Sequence, residues 1–184
     1  MTVNPASIPR DGRHRYAIRV YYEDTDAGGV VYHATYLRYA ERARTEALRD
    51  LGVPHATLVD QYRMMFMVRG LEVDYQRGAR LDDALVVETE VLGLGGATVR
   101  LRQTVRDADA ICAVLTVRLA CVRLDGHRPG RIPPAWRDRL TAMRDAMEAE
   151  DLSGATGQRK IGQGKIGQRE IDQGETGREE TGRG

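Results

Sequence analysis

Polar and apolar residues alternate near the start of the chain, over residues 15–22. Side chains of an extended strand point to opposite faces in turn, so every second residue shares a face. Tyr16, Ile18, Val20 and Tyr22 fall on one such face. The segment is therefore predicted to be a first strand with one covered side.

A longer spacing follows over residues 32–51. Tyr36, Ala40, Ala43, Ala47 and Leu51 recur at steps of three and four, which places them on one side of a helix. Charged residues occupy the opposite side, and a glycine and a proline follow directly after the pattern ends, as is common beyond a helix C-terminus. The small alanines predict that this helix lies close against a sheet.

Four further apolar segments, separated by turn residues, predict strands at 63–75, 84–92, 98–106 and 111–123. Residues 98–105 alternate as in a half-exposed antiparallel strand. Residues 111–122 are apolar on both sides, which predicts a central strand or a subunit interface. With a last helix at 134–150, the pattern predicts an α+β fold, in which a long helix packs on an antiparallel sheet of about five strands.

The two ends of the chain differ from this middle part. Residues 1–12 contain two prolines and a glycine and are predicted to form a flexible arm. From Gly154 the sequence repeats every five residues, a period that gives no continuous apolar face on a helix or a strand. We therefore predict one folded domain at 13–150 and a disordered, pentapeptide-repeat-like tail at 151–184.

Composition narrows the range of partners. The 28 basic and 27 acidic residues nearly cancel, and the basic ones are scattered, so nucleic acid is not an expected partner. No secretory signal and no apolar run of membrane-spanning length is present, which predicts a cytoplasmic protein without an integral membrane segment. The two cysteines, Cys112 and Cys121, lie in one apolar strand and suggest buried, reduced thiols.

Several kinds of catalytic site are excluded by the residues present. The serines, Ser7 and Ser153, lie outside the predicted domain core, which rules out a Ser-His-Asp triad there. The four histidines show no HExxH motif and no paired ligand spacing, and the cysteines have no predicted helix terminus beside them. We therefore expect neither a metal nor a cofactor.

A cluster of carboxylates remains, in the turn before the long helix. Glu23, Asp24 and Asp26 precede Gly28 and Gly29, and three interpretations are open. One aspartate caps the helix or its turn; or the turn begins a calcium loop, which lacks the final glutamate; or a carboxylate there acts in catalysis. In the third case the glycines let the backbone approach a ligand, and N–H groups near residues 31–33 stabilise an oxyanion.

The segment YYEDTDAGGVVYHATYLRYAERARTEALRDLG resembles the signature of the 4-hydroxybenzoyl-CoA thioesterase family, and in particular its Tol-Pal-associated, YbgC-like branch. The likeness continues through MVRGLEVDYQRGARLDDALVVETEV to about Trp136. It implies a hot-dog fold, in which the sheet wraps the long helix and two subunits join their sheets. It also implies hydrolysis of acyl-CoA thioesters by a homodimer or homotetramer.

The same resemblance implies roles for single residues. The catalytic aspartate of the family falls on Asp26, with Tyr22 and His33 as further catalytic-site residues. Asp26 would act as a general base or as a nucleophile, and the sequence does not decide between them. Tyr22 is either a hydroxyl donor or a core residue, and His33 contributes its imidazole or its backbone N–H.

The residues expected to contact the substrate come from the turn and from a later arginine pair. Gly29 and Val31 are expected at the thioester, while Arg77 and Arg80 would pair with CoA phosphates. Salt bridges from these arginines to the neighbouring aspartates are the alternative. A second hypothesis for the whole protein is a non-catalytic hot-dog scaffold of the cell-envelope, Tol-Pal or lipid-synthesis systems.

Overall fold

A computed structural model describes residues 8–161, and side chains within 8–153. Its sheet has five antiparallel strands: β1 (His14–Arg19), β2 (Met64–Tyr75), β3 (Ala84–Leu94), β4 (Thr98–Arg106) and β5 (Ile111–Arg123). Their order across the sheet is β1-β3-β4-β5-β2. Strand β5 is thus an interior strand, as its two apolar faces predicted, and β2 forms one edge.

Within residues 8–161, three α-helices accompany the sheet: α1 (Thr35–Asp50), α2 (His55–Tyr62) and α3 (Pro134–Ile161). The stripe predicted on α1 is buried, since Tyr36, Ala40, Ala43 and Ala47 are at most 5% exposed. Small side chains allow the helix backbone to lie close to the strands. The α+β class, with a long helix on an antiparallel sheet, is confirmed.

A buried polar group joins α1 to the sheet. Gln103 on β4 is fully buried, and its amide donates to the Ala40 carbonyl at 2.9 Å and to the Thr89 hydroxyl at 3.0 Å. Its side-chain oxygen accepts a hydrogen bond from the Arg44 guanidinium at 2.7 Å. Because every polar atom of this amide is paired, the group fixes the position of α1 without leaving an unsatisfied donor or acceptor.

The first strand is shorter than predicted. Strand β1 ends at Arg19, and Tyr22 lies in a 3-10 helix, Tyr22–Asp24. The Asp24 carboxylate accepts a hydrogen bond from the Tyr21 N–H at 2.9 Å, which turns the backbone out of the sheet. The local bond between a side chain and the backbone therefore prevails over the alternation of polar and apolar residues.

The helices also differ from the prediction. Helix α1 begins at Thr35 instead of residue 32, and α2 was not predicted, because it is short and follows directly after the glycine and proline that end the α1 pattern. Helix α3 continues to Ile161, beyond the expected end at residue 150. The start of the N-terminal arm, residues 1–7, and the repeat tail from residue 162 lie outside the described residues. Within the described range, no helix is long and apolar enough to cross a membrane.

Candidate active site

Asp26 stands at the start of a tight turn that reverses the chain before α1. The two sides of the turn pair through Asp26 N–H to the Val30 carbonyl at 3.0 Å and Tyr32 N–H to the Asp24 carbonyl at 2.8 Å. Gly29 has φ +71°, a conformation that favours glycine. The Asp26 carboxylate is exposed and accepts one hydrogen bond, from Gly28 N–H at 2.8 Å.

The neighbouring Asp24 has a different environment. It is only 4% exposed, and its carboxylate is bonded to the Tyr21 backbone. Burial, and then the nearby Asp24 carboxyl, raise the pKa of the Tyr39 hydroxyl, which keeps that phenol neutral. Asp24 is thus a structural residue, whereas the carboxylates of Asp26 and Glu23 are exposed to solvent.

Neither aspartate caps the helix. The residue before the first turn of α1 is Ala34, and no side chain caps this end. An uncapped N-terminus leaves backbone N–H groups and a partial positive charge available to a ligand. The interpretation of Asp24 or Asp26 as a helix cap is therefore wrong, although Asp26 does stabilise its own turn through Gly28.

The N–H groups expected to face the oxyanion are not all free. Val31 N–H is bonded to the Ala79 carbonyl at 2.8 Å, and Tyr32 N–H is bonded within the turn. This corrects the expectation that the donors begin at Val31. The N–H groups of His33 and Ala34 form no hydrogen bond to any described residue, so the available donors lie two and three residues after Val31.

The orientation of each of these two N–H groups is set by a hydrogen bond to the carbonyl of the same peptide unit. A peptide unit is planar and trans, so its N–H and C=O point in opposite directions. The Tyr32 carbonyl accepts from Thr35 N–H at 2.8 Å, which orients the His33 N–H, and the His33 carbonyl accepts from the Tyr75 hydroxyl at 2.9 Å, which orients the Ala34 N–H. Both peptide planes are therefore held before a substrate binds.

Tyr75 and Tyr36 connect this turn to the end of β2. The Tyr75 ring packs edge-on against His33, with centroids 6.4 Å apart, and against Tyr36, at 5.7 Å. The Tyr36 hydroxyl accepts a hydrogen bond from Ala79 N–H at 3.0 Å. The sequence did not identify Tyr75 as a site residue. Its position at the end of a strand does not indicate that its hydroxyl reaches the His33 carbonyl, next to the start of α1.

Among the other predicted site residues, Gly29 donates its N–H to the Asp26 carbonyl at 3.0 Å, whereas Tyr22, Arg77 and Arg80 form no hydrogen bond or ion pair with Asp26. Tyr22 is 82% exposed, which excludes the core alternative for its side chain. The Arg77 guanidinium is paired with Asp107 at 2.9 Å, not with a neighbouring aspartate of its own loop. Arg80 is exposed, and its guanidinium forms no ion pair with a described residue, while its backbone N–H binds Asp83 at 2.8 Å.

Neither a catalytic cysteine nor a metal site has support among the described residues. Burial raises the pKa of both Cys112 and Cys121, which disfavours the thiolate form of either. Among residues 8–153, no three His, Cys, Asp or Glu side chains are grouped so that they could hold a metal ion. A cavity of about 50 Å³ between α1 and the sheet, with Leu48, Phe66 and Leu101 in its wall, does not include the Asp26 turn.

Comparison with known proteins identifies the family. The profile of the thioesterase-like superfamily matches residues 20–140, a range that contains the Asp26 turn, α1 and the entire sheet after β1. The chain belongs to the thioesterase-like superfamily. The expected resemblance is confirmed, since the chain is also similar to proteins of the YbgC-like branch.

Two curated relatives and a solved structure illustrate the similarity. Acyl-CoA thioesterase YbgC of Haemophilus influenzae is 46% identical over 123 residues, which are 67% of this chain and 90% of the relative. Acyl-CoA thioester hydrolase YbgC of Escherichia coli O6:H1 is 41% identical over 120 residues, 65% of this chain and 89% of that protein. The crystal structure of a probable thioesterase from Bartonella henselae is 34% identical, has a TM-score of 0.63, and covers 66% of this chain and 99% of its own. The hot-dog fold is thereby confirmed.

Proposed function

We propose that this protein hydrolyses acyl-CoA thioesters to a free acid and CoA, with Asp26 as the catalytic carboxylate. The observation that carries the proposal is the exposed Asp26 carboxylate in a braced turn that leads into an uncapped helix N-terminus with two oriented N–H groups. Similarity to relatives named as acyl-CoA thioesterases supports the choice of thioester. No metal or cofactor takes part in the proposed reaction.

In the proposed mechanism, Asp26 acts as a general base. It removes a proton from a water molecule, whose oxygen attacks the thioester carbon. The negative charge that develops on the carbonyl oxygen is stabilised by the N–H groups of His33 and Ala34. The C–S bond then breaks, and the proton held by Asp26 passes to the departing CoA thiolate. The alternative, in which Asp26 attacks the carbon and forms a mixed anhydride, gives the same products.

An oxygen-isotope experiment distinguishes the two mechanisms. If Asp26 activates water, a single turnover in H₂¹⁸O places ¹⁸O in the released acid and none in the Asp26 peptide, and hydroxylamine traps no adduct. A mixed anhydride that water opens at the acyl carbon would give the same labels, but hydroxylamine would trap it. Incorporation of ¹⁸O into Asp26, or an adduct that hydroxylamine traps, would show that the aspartate is the nucleophile.

The first test of the function is thiol release from a series of acyl-CoA substrates. Asp26→Asn keeps the size of the side chain but removes the base, and should lower kcat by about 10²- to 10⁴-fold. Asp60→Asn, at an exposed aspartate on α2, is the matched control and should retain full activity. Full activity of Asp26→Asn would contradict the mechanism. No turnover of any acyl-CoA by the wild type would favour the scaffold hypothesis.

We also propose that the active form is a homodimer joined at β2. The side chains of β2 that face α1 include Val68 and Leu71, which are 50% and 38% exposed, whereas their partners Leu119 and Val117 on β5 are buried. The apolar face of the sheet thus extends onto β2, where residues of the same chain leave it exposed. Such an exposed apolar area is expected if a second copy of the chain packs against β2. The Arg80 guanidinium forms no ion pair with a described residue, so Arg80 is a better candidate for a CoA phosphate than Arg77, which is paired with Asp107.

A cytoplasmic location stays a prediction from the sequence.

A further inference from the structure

A row of four residues crosses the sheet on the face turned away from α1. Gly93 on β3 lies opposite Arg100 on β4, Arg100 lies opposite Arg118 on β5, and Arg118 lies opposite Gly70 on β2. The row therefore reads Gly-Arg-Arg-Gly across neighbouring strands. Two arginines stand side by side at its centre, and the residues that flank them on β3 and β2 are glycines, which have no side chain.

The arginines have few opposite charges. Residues directly opposite in an antiparallel pair have Cβ atoms about 4.5 to 5.5 Å apart, and like charges there are destabilising. Arg118 has a distant carboxylate partner, Glu72 at 3.6 Å, and the Arg100 guanidinium forms no ion pair with any described residue. By contrast, Arg102, two residues along the same face of β4, binds the Glu90 carboxylate at 2.5 Å. On this face of the sheet, the positive charge of Arg102 is therefore compensated, whereas that of Arg100 has no carboxylate partner among the described residues.

The backbone around the row is shaped to expose it. A β-bulge precedes Gly70 in β2, and another precedes Gly93 in β3. A Cβ at Gly70 would lie 2.7 Å from the Arg118 guanidinium, which shows that the arginine lies over the glycine. Bulges and strand glycines often mark places where a ligand approaches the sheet. The bulge in β2 contributes a third exposed arginine, Arg69, which forms no ion pair with any described residue.

These residues line one depression. Its volume is about 530 Å³, and Arg69, Arg100, Arg118, Gly93, Gly95 and Thr98 are among the residues that form it. It lacks carboxylates, and the lining hydroxyl of Thr98 adds a neutral hydrogen-bond donor. Guanidinium groups match phosphate oxygens in geometry and form paired, charge-assisted hydrogen bonds with them. A monocarboxylate would neutralise only one of three cations, whereas a phosphate ester or diphosphate carries more charge.

We propose that the Gly-Arg-Arg-Gly row, together with Arg69, is a binding site for phosphate or diphosphate groups, separate from the Asp26 turn. Arg100 and Arg118 provide the two central guanidinium groups. Gly93 leaves open space beside Arg100 for the anion, while Gly70 accommodates the Arg118 guanidinium that lies over it. The phosphates come either from the nucleotide part of a CoA thioester or from a separate phosphorylated molecule. The site itself does not depend on thioester hydrolysis.

Calorimetric titration of the full chain with pyrophosphate at low ionic strength tests the site. The expected result is saturable binding that weakens with added salt. Arg100→Gln and Arg118→Gln should each weaken it about tenfold, since a charge-assisted hydrogen bond is commonly worth that factor or more. Arg139→Gln removes the same charge from an exposed position on α3 and should leave binding unchanged.

A second variant blocks the site and keeps both arginines. A Cβ at Gly93 would meet nothing within 4 Å, so Gly93→Glu can be accommodated and places a carboxylate beside Arg100. It should abolish pyrophosphate binding and remove the rise in Tm that pyrophosphate causes in the wild type. The proposal is overturned if the wild type shows no saturable binding, if Gly93→Glu binds as well as wild type, or if Arg139→Gln weakens binding as much as Arg100→Gln. A change of oligomeric mass in Arg100→Gln would also overturn it, because the row would then be a subunit contact.

Kinetics with two substrates identify the source of the phosphate. If the nucleotide of CoA occupies the site, Arg100→Gln raises KM for an acyl-CoA and leaves KM unchanged for the same acyl group on pantetheine, which lacks the nucleotide. If a separate phosphorylated molecule occupies it, both KM values stay at the wild-type level while pyrophosphate binding is lost. Should the wild type hydrolyse no thioester, the proposed function fails, and the calorimetric result for the row still stands.

Discussion

At the residue scale, the candidate site depends on backbone groups as much as on side chains. The motif around residues 21–36 locates Asp26 and His33 in the proposed reaction, but it does not locate the Ala34 N–H or the Tyr75 hydroxyl. The N–H groups of His33 and Ala34 are the available donors because those of Val31 and Tyr32 are already hydrogen-bonded. The direction of the two free N–H groups is set by the Tyr75 hydroxyl and by Thr35 N–H. In the proposed mechanism, Tyr75 is therefore a positioning residue for the oxyanion donors.

Tyr75→Phe removes one hydroxyl and keeps the ring packed against His33 and Tyr36. The His33 carbonyl then loses its partner, and the Ala34 N–H is less well oriented toward the developing charge. We expect kcat to fall about tenfold, the effect of a loss near 1.4 kcal/mol in the transition state, with little change in KM.

Tyr62→Phe is the matched control, because the Tyr62 ring packs on Trp136 away from the turn. It should leave kcat at the wild-type value. A Tyr75→Phe enzyme with unchanged kcat, or with a raised KM as its only defect, would show that the hydroxyl does not position the donors.

At the element scale, a charged group on the outer face of the sheet joins β3 and β4 to the segment before β1. Glu90 on β3 is 5% exposed and accepts hydrogen bonds from Arg13, at 2.8 Å, and from Arg102 on β4, at 2.5 Å. Arg13 also binds Asp151 on α3 at 2.8 Å. One carboxylate thus connects two strands, the segment before β1 and the last helix.

The stability contributed by Glu90 should depend on pH. Burial alone would raise its pKa, but the hydrogen bonds from Arg102 and Arg13 outweigh burial and hold the pKa below its ordinary value. The folded state therefore favours the ionised form, and the stabilisation is present above the unfolded pKa of about 4.3 and lost as pH falls through the folded pKa. Glu90→Gln should lower the free energy of unfolding by about 1 to 2 kcal/mol at pH 7, a modest loss because Arg102 is partly exposed.

Urea unfolding of wild type and Glu90→Gln at neutral and acidic pH measures this effect. The two curves should converge as pH falls below about 4. Glu88→Gln, which removes a more exposed carboxylate of β3 that pairs with Arg15, should show a smaller difference at pH 7. A Glu90→Gln deficit that stays constant into acid would mean that the charge of Glu90 is not the cause.

At the scale of the whole molecule, the sheet has two unequal edges. Strand β1 is 6 residues long, whereas β2 is 12 residues long and carries exposed apolar side chains next to buried ones of β5. A long apolar edge strand is a site for pairing with another chain. The end of this strand also carries Tyr75, so an interface at β2 would lie close to the candidate site.

Leu71→Glu should therefore weaken the proposed dimer. A charge on the uncovered part of the sheet face is tolerated in a monomer and costs free energy at a buried interface. Light scattering after gel filtration should show two chains of 20.5 kDa for the wild type and a shift toward one chain for the variant. Leu152→Glu makes the same substitution at a leucine that is 71% exposed on α3, and should leave the mass unchanged. A monomeric wild type would contradict the proposed interface.

The sequence by itself determined the elements with strong periodicity and the motif around Asp26. Strands β4 and β5 have the predicted bounds, and the stripe on α1 is buried as predicted, because alternation and helical spacing record which side of an element is covered. Only the tertiary structure decided where Tyr22 lies, which N–H groups are free, and that Tyr75 reaches His33. The same holds for the row through Arg100 and Arg118, since register between strands brings together residues that no local pattern relates.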